Sequence, residues 1–515
     1  MGAYEPKNMT NLKKGKVYLV GAGPGQADLI TVRGAELLKT ADCIIYDKLA
    51  NPALLKFASP DAEIIHVPKR IGPASATQAE INKLLVEKAL AGKTVVRLKG
   101  GDPTIFGRAA EELTVLADAG IDFEIVPGVT AAVAAGAYTG IMLTDRDYSS
   151  QVVFVTGREA DDKSESNIDW SCLAGFSGTI AFYMGVASLE FITDQLIEKG
   201  MDRDTPAAVI ADATLPTQKM AKAPLRQIAE KCKQEKIEPP AVILIGPAAD
   251  TGARFNWFVK KPLFGKNVVI TRDTRGNADF AARIIRQGGN PLQFPTTEII
   301  PLTETNRFLR TLAKITEYDW TIFTSANGVS IFFDVVRRLG KDARVFASAK
   351  IAAIGPQTAD KLREFGITAD FVPAAFTGRD LAKQLIAFTN LRDRKVLLLR
   401  SEAASKELPQ ILEQAQVQVD DVPLYAAQPV KGDCEKLKQD IAAGTIYWLT
   451  FASPSAVRAF FDQIPSNVIN GSSTKVASIG PVTSAELKAL GVRVDAEAAE
   501  HTIDGLLAAM EGLSG

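Results

Sequence analysis

Residues Val17–Thr31, VYLVGAGPGQADLIT, decide how the first half of this 515-residue chain is read. An apolar strand runs straight into Gly21, Gly23 and Gly25, and the next apolar strand, CIIYD, ends on Asp47. A dinucleotide-binding fold starts this way, with an acid roughly 20 residues on to grip a ribose. The fingerprint is incomplete, however. Its sixth position is Gln26 instead of glycine, and Pro24 removes a backbone N–H where a pyrophosphate cradle needs donors. The glycines alone leave two readings open, a ligand loop and a tight strand–helix turn.

Outward from this stretch, strands and helices alternate, which places the chain in the α/β class. KVYLV, CIIYD, EIIHV, TVVRLKGGDP and FEIVPG read as strands. ADLITVRGAELLKTA, TQAEINKLLVEKALAG and AAEELTVLADAG read as helices, the second with Thr77 as N-cap, Glu80 three residues later and Gly92 as its stop. The uncharged run Ile125–Thr144 is rich in Ala, Gly and Thr, too weakly apolar for a membrane span, and reads as a turn followed by a tightly packed helix. From Gln151 a second set of strands follows, QVVFVTG, GTIAFYMG, TPAAVIADAT and PPAVILIG. Gly246–Lys266 has no clear period and marks a domain boundary.

The last 250 or so residues repeat themselves. NVVITR, ending at Arg272, matches KVLLLR, ending at Arg400, and Pro295 matches Pro423, both 128 positions apart. Trp320 and Trp448 keep the same offset, and KIAAIGPQTADKLREFG from Lys350 matches KVASIGPVTSAELKALG from Lys475 at 125. Two similar lobes are expected, with a ligand in the cleft they form.

The composition, 46% hydrophobic and 23% charged with a net charge of −1, is that of a globular protein and offers no basic excess for nucleic acid or lipid. Four scattered cysteines, with no C-x-x-C pair, read as reduced thiols of a cytoplasmic protein. Two histidines argue against a zinc site or a Ser-His-Asp triad, so no metal is expected. The first residues lack the apolar core of a signal peptide.

Two further loops carry chemistry. RLKGGDPTIFGRAAEE, Arg97–Glu112, offers close backbone approach at Gly100 and Gly101, a carboxylate at Asp102 and a guanidinium fork at Arg108. VPGVTAA, Val126–Ala132, offers Thr130 as the cap of an alanine-rich helix. With VGAGPGQADLIT, YDKL, PKR, QAEIN, GIMLTDRDY, VTG, FYMG and TPAAVI, these loops run in order from about residue 16 to 247 and resemble the tetrapyrrole methylase family, in particular the uroporphyrinogen-III C-methyltransferases.

The resemblance implies S-adenosylmethionine as cofactor, in a cleft between two α/β subdomains, against Pro24, Gly100, Gly101, Asp102, Ile105, Thr130, Ala131, Met184 and Ala213. It implies Asp47 as proton acceptor and Lys69 as proton donor, and a dimer through this half of the chain. Arg70, Arg97, Arg108 and Arg146 lie in or beside the motifs as candidate partners for substrate carboxylates. The chain departs from the family at Met142 and Asp145, where Pro and His are usual, and at Arg158, where His is usual.

The repeated half, through VVITR, FTSANGV, AAIGPQTADKL, VPLY, TFASPSAV and ASIGPVTSAEL, resembles uroporphyrinogen-III synthase. That family implies discontinuous lobes, with crossings near Thr296–Pro301 and near Tyr425. It implies Tyr425 as the group assisting departure of a hydroxyl, with Ser325, Thr358, Ser453 and Thr483 in the matching loops as carboxylate binders. For each Ser or Thr a helix N-cap is the competing use.

The expected organisation is a tail 1–15, a two-subdomain tetrapyrrole methylase unit 16–250, a linker 251–265 and a two-lobed synthase unit 266–515. Together they imply a bifunctional enzyme that cyclises hydroxymethylbilane to uroporphyrinogen III and methylates it to precorrin-2, with small tetrapyrroles as partners and neither nucleic acid nor membrane. The alternatives are a methylase of another precorrin, a two-lobed tetrapyrrole-binding module without turnover, and a Rossmann oxidoreductase.

Overall fold

The computed structural model describes residues 14–67, 77–158, 167–346 and 349–513. The chain divides at Lys266: Asn267–Arg283 and everything from Pro291 onward form a second compact unit, while Ile284–Asn290 group with the first.

The first unit contains two five-stranded sheets. One is built from β1 (Lys16–Gly21), β2 (Cys43–Tyr46), β3 (Glu63–His66), β4 (Val95–Lys99) and β5 (Asp122–Val126), in the order β3-β2-β4-β1-β5 and parallel throughout. Helices cover both faces of such a sheet, so its central strands are buried on both sides. β4 meets that demand with Val95, Val96 and Leu98, but Arg97 and Lys99 are buried too, at 0% and 3% exposure. Two residues apart, they share one face, and the helix Ala109–Asp118 meets them there with Glu112, itself fully buried.

Capping sets the helix boundaries. Thr77 and Glu80 form the expected capping box, and the helix Gln78–Leu90 stops before Gly92 at φ +81°. The helix expected over ADLITVRGAELLKTA is shorter: Ala27–Leu29 make a single 3-10 turn, and Val32–Thr40 is helical because the Thr31 hydroxyl accepts from the Gly34 N–H.

The second sheet of this unit comprises β6 (Val152–Thr156), β7 (Thr179–Tyr183), β8 (Pro206–Ala211), β9 (Lys219–Pro224) and β10 (Ala241–Ile245), ordered β6-β7-β10-β8-β9. Only β6 and β7 pair in parallel; β10 runs antiparallel to both of its neighbours, and β9 is an antiparallel edge. The stretch Trp257–Phe258, expected in a linker, packs against Tyr138, and the Trp257 indole donates to the Ala137 carbonyl at 2.9 Å.

The second unit also has two five-stranded sheets. β11 (Asn267–Ile270), β12 (Asn290–Gln293), β18 (Ile446–Phe451), β19 (Lys475–Ser478) and β20 (Ala496–Glu497) form the order β12-β11-β18-β19-β20. Between them in sequence lie β13 (Thr297–Pro301), β14 (Trp320–Phe323), β15 (Lys350–Ala353), β16 (Lys395–Ser401) and β17 (Gln418–Pro429), ordered β13-β17-β16-β14-β15. The lobes are discontinuous, as the resemblance to the synthase family implied. The repeats are also exchanged between them: β11 pairs with β18, whose repeat counterpart is β14, and β16 pairs with β14. The two crossings run side by side, since β13 is antiparallel to the end of β17 from Thr297 opposite Pro429 to Pro301 opposite Tyr425.

Candidate active sites

In the first unit, three loops leave the carboxyl ends of β1, β4 and β5 and meet, where ligands of open α/β sheets bind. Gly101 donates to the Gly23 carbonyl at 2.7 Å and accepts from the Gly23 N–H at 3.2 Å. A Cβ on Gly128 would stand 2.3 Å from the Gly101 carbonyl oxygen, so the loops approach this closely only because Gly128 has no side chain. Asp102 bolts them together. One oxygen accepts from the Thr104 N–H and hydroxyl at 2.7 and 2.5 Å, and the other from the Gly128 N–H at 2.9 Å. Burial pulls the Asp102 carboxyl upward, but these hydrogen bonds outweigh it and hold the group below the usual carboxylate range. Asp102 therefore shapes the loop with both of its oxygens.

Gly101 itself sits at φ +66°, and the nearest atoms to a Cβ built there are the Thr130 Cα and the Ala131 N, both 3.8 Å away. A Cβ there would make ordinary van der Waals contact, so the loop lies directly against the first turn of the helix Ala131–Thr139. Thr130 occupies the N-cap position but makes no cap bond, because its hydroxyl pairs with the Tyr183 phenol at 2.8 Å. That phenol also accepts from the Ala132 N–H at 3.1 Å. Ile105 and Ala131 pack on the cluster that contains Tyr183 and Ala213. Met184 follows Tyr183 at φ +56°, half exposed. Pro24 lies between Gly23, which bridges to Gly101, and Gly25, beside Thr214. The expected cofactor residues thus gather around the place where these loops meet.

Strain concentrates around it. Phe106, Arg108, Met184, Asp212 and Thr214 all have positive φ without being glycine. The two sheets are tied across it by the Gln26 N–H to the Thr214 hydroxyl at 3.0 Å and the Tyr138 phenol to Gln26 Oε1 at 3.1 Å. Tyr183 and Thr214 were not singled out from the sequence, although Tyr183 stands inside a quoted motif, and Gln26 was noted only as standing in place of a fingerprint glycine.

Asp47, at the end of β2, is 6% exposed. Its Oδ2 accepts from Arg97 Nη2 at 2.8 Å and its Oδ1 from the Leu49 N–H at 3.0 Å. The same turn abuts the cofactor loop, where a Cβ on Gly100 would stand 2.6 Å from the Leu49 Cβ.

Arg97, expected against substrate, is instead fully buried. Its guanidinium is spent on Asp47, on Glu112 at 3.3 Å and on the Leu98 carbonyl at 2.9 Å, which leaves nothing for a substrate carboxylate. Glu112 also takes Lys99 at 2.9 Å and Gln78 at 3.1 Å. Arg108 is exposed and forked onto Glu111 at 2.6 and 2.7 Å, while Arg146 is exposed in the turn that Asp145 and Ser149 close. The unusual Asp145 caps this turn by accepting from the Asp147 N–H at 2.8 Å. Lys69 and Arg70 lie outside the described residues.

In the second unit a cleft of about 850 Å³ is lined by both crossings and both lobes, among them Arg272, Ser401, Tyr425, Lys431 and Ser453. Tyr425 donates to Ser325 Oγ at 3.0 Å. Burial pushes its phenol above the ordinary value, with the Ser325 hydrogen bond opposing, so the hydroxyl keeps its proton at neutral pH. Ser325 and Ser453 are N-caps, accepting from Gly328 and Ala456 at 3.0 and 3.2 Å, and Ser453 also lines the cleft. Thr358 and Thr483 are buried in the first turns of their helices, at 4% and 3% exposure, and are not part of the lining.

Family comparisons match this division. Residues 16–229 match the tetrapyrrole (corrin/porphyrin) methylases, and residues 278–508 match uroporphyrinogen-III synthase HemD. A relative from Ruminiclostridium josui, named porphyrin biosynthesis protein HemD, is 38% identical over 496 residues, covering 96% of this chain and 97% of its own. The chain belongs to the family of fused tetrapyrrole methylase and uroporphyrinogen-III synthase proteins. The uroporphyrinogen-III C-methyltransferase of Bacillus subtilis is 40% identical over 357 residues, 69% of this chain and 72% of its own. The methylase unit alone resembles the S-adenosyl-L-methionine-dependent uroporphyrinogen III methyltransferase of Methanosarcina barkeri, 46% identical over 232 residues, 45% of this chain and 91% of that protein. No helix among the described residues is long and apolar enough to cross a membrane.

Proposed function

We propose that the synthase unit closes hydroxymethylbilane to uroporphyrinogen III with inversion of ring D, and that the methylase unit methylates this product at C2 and C7 to give precorrin-2. The observation that carries the methylase reading is the convergence of three loops, joined through Gly23, Gly101, Asp102 and Gly128 and lying against Thr130 and Ala131 at the start of a helix. A backbone-lined cradle with few side chains fits S-adenosylmethionine, with Gly100, Gly101, Thr130, Ala131, Ile105, Met184, Ala213 and Pro24 to hold it. When bound, it supplies a methyl group on a sulfonium, open to attack by an electron-rich pyrrole carbon.

The chain's own residues handle the proton and the geometry. Asp47 has one donor on each oxygen, which fixes its carboxylate and leaves lone pairs to take the proton that the methylated ring must lose. Lys69 is assigned the return of a proton. Tyr183 locks Thr130, and Met184 presents an adaptable thioether beside the cleft.

In the synthase unit, Tyr425 holds its one O–H at the cleft wall, donated to Ser325 in the free chain, and would turn it from Ser325 to the departing hydroxyl. The cationic intermediates of ring closure need enclosure and orientation more than strong acid–base groups. A cytoplasmic homodimer, paired through the methylase unit, belongs to the same reading.

The test is product analysis of the whole chain given hydroxymethylbilane and S-adenosylmethionine. Precorrin-2 is expected. Uroporphyrinogen I alone would refute the synthase assignment, and unmethylated uroporphyrinogen III the methylase assignment. Thermal stabilisation by NAD but not by S-adenosylhomocysteine would restore the dinucleotide reading.

A further inference from the structure

The repeat in the synthase unit is broken at one pair of side chains, and the break lies at the cleft. Arg400, at the end of β16, is 4% exposed and forks onto Asp421 of β17, with 2.6 Å from Nε to Oδ1 and 2.5 Å from Nη2 to Oδ2. Its Nη1 donates to the Ser405 carbonyl. Every donor face of this guanidinium is used inside the fold. Arg272 is the counterpart of Arg400 in the other lobe, 128 positions earlier, and follows β11 as Arg400 closes β16. β12 stands next to β11 as β17 stands next to β16. The position matching Asp421 at the same offset is Gln293, which is exposed.

Arg272 has therefore lost the acid that clamps its twin. It is half-buried in the wall of the cleft, and among the described residues it has no hydrogen-bond or ion-pair partner. The cleft is not a general sink for anions. Arg458 is held by Glu486 at 2.8 Å, and Asp273 and Asp462 stand in the lining against Arg272 and Lys431. Binding of a polyanion there needs a directed donor, and a planar guanidinium matches a carboxylate with two parallel hydrogen bonds.

The geometry points to Arg272 as the residue that anchors a carboxylate side chain of the substrate in the synthase cleft, freed for this by the Asp-to-Gln break in the repeat. The inference rests on the synthase reading of the second unit. It assigns the two equivalent arginines opposite tasks, one holding a lobe together and the other holding the ligand.

The full-length chain tests it, with steady-state ring closure of hydroxymethylbilane and the melting midpoint measured together. Loss of a hydrogen-bonded charge is expected to raise the KM of Arg272→Gln roughly 10- to 100-fold with kcat changed less than about threefold. Arg272→Lys should recover part of that loss. Gln293→Asp should rebuild the clamp, since residues 272 and 293 have the same separation as 400 and 421. It should raise KM at least about fivefold while leaving the midpoint unchanged or higher, a result that simple damage to the fold would not give. Arg400→Gln should instead lower the midpoint. A KM within twofold of wild type in both Arg272→Gln and Gln293→Asp overturns the inference. A wild-type chain that makes no uroporphyrinogen III overturns the synthase reading itself, so the two failures are distinct.

Discussion

Glu112→Gln is the sharpest perturbation of the methylase unit. Glu112 is fully buried and accepts from Arg97, Lys99 and Gln78 at 3.3, 2.9 and 3.1 Å. It pairs with two buried cationic side chains, and Asp47 pairs with one of them, Arg97. Replacing it by Gln removes the carboxylate that pairs with both Arg97 and Lys99. Breaking a buried pair by removing one partner costs about 3–5 kcal/mol, because the partner's charge stays buried without compensation. For a unit of roughly 250 residues each kcal/mol moves the melting midpoint about 2–4 °C, so a fall of about 6–20 °C is expected. Calorimetry of the full chain reads it, and the synthase transition, whose residues Glu112 does not touch, is the internal reference. Adding Lys99→Met removes the buried ammonium that Glu112 held, with Asp47 still paired to Arg97 and the introduced amide still able to accept. This double variant should regain more than about 1 kcal/mol over Glu112→Gln alone. A fall of less than about 2 °C for the single variant, or a double variant no better than it, would refute the view that charge pairing holds this site together.

Three further outcomes follow from the same geometry. Asp47→Asn keeps an acceptor for Arg97 and should slow methylation roughly 100-fold or more while S-adenosylhomocysteine affinity, measured by calorimetry, stays within about threefold; lost affinity in a folded variant would return Asp47 to a ligand-gripping role. Gly101→Ala should cost roughly 1–2 kcal/mol for its left-handed backbone and put a methyl into the cradle, so that S-adenosylhomocysteine affinity falls at least tenfold; unchanged affinity would place the cofactor elsewhere. The Asp102 carboxyl is depressed in the folded state, so its contribution is complete above its ordinary pKa and is lost as pH falls through the lower folded value. Cofactor affinity in wild type should therefore hold through the ordinary carboxylate range and drop only below it, and Asp102→Asn should flatten that limb, as a pH titration of binding would register.

Local chemistry was legible where it was satisfied locally. Thr77 and Glu80 cap their helix because both partners lie within one turn, and the repeat offset exposed the paired lobes because strand cores tolerate little change. Strand direction was not legible: β10 is as apolar as a buried parallel strand, yet it runs antiparallel to β7 and β8. The role of Thr130 was misplaced for a similar reason. A threonine before a helix reads as a cap, but a phenol 53 residues away claims its hydroxyl. Long-range partners override local preference wherever a buried polar group must be satisfied.

The arginines make the point most directly. Arg97, Arg272 and Arg400 each lie within or just after an apolar strand, and nothing in their flanking residues separates them. Arg97 meets Asp47 and Glu112 across neighbouring elements, Arg400 meets Asp421 on the adjacent strand, and Arg272 meets neither kind of partner among the described residues. A buried guanidinium with all its donors used stabilises the fold and cannot also take a ligand carboxylate. One that reaches a cleft unpaired has its donors available at the cost of solvating them in the free enzyme. Function at such positions is set by the acid that is missing, and the repeat makes the missing acid visible by supplying the same pair intact in the other lobe.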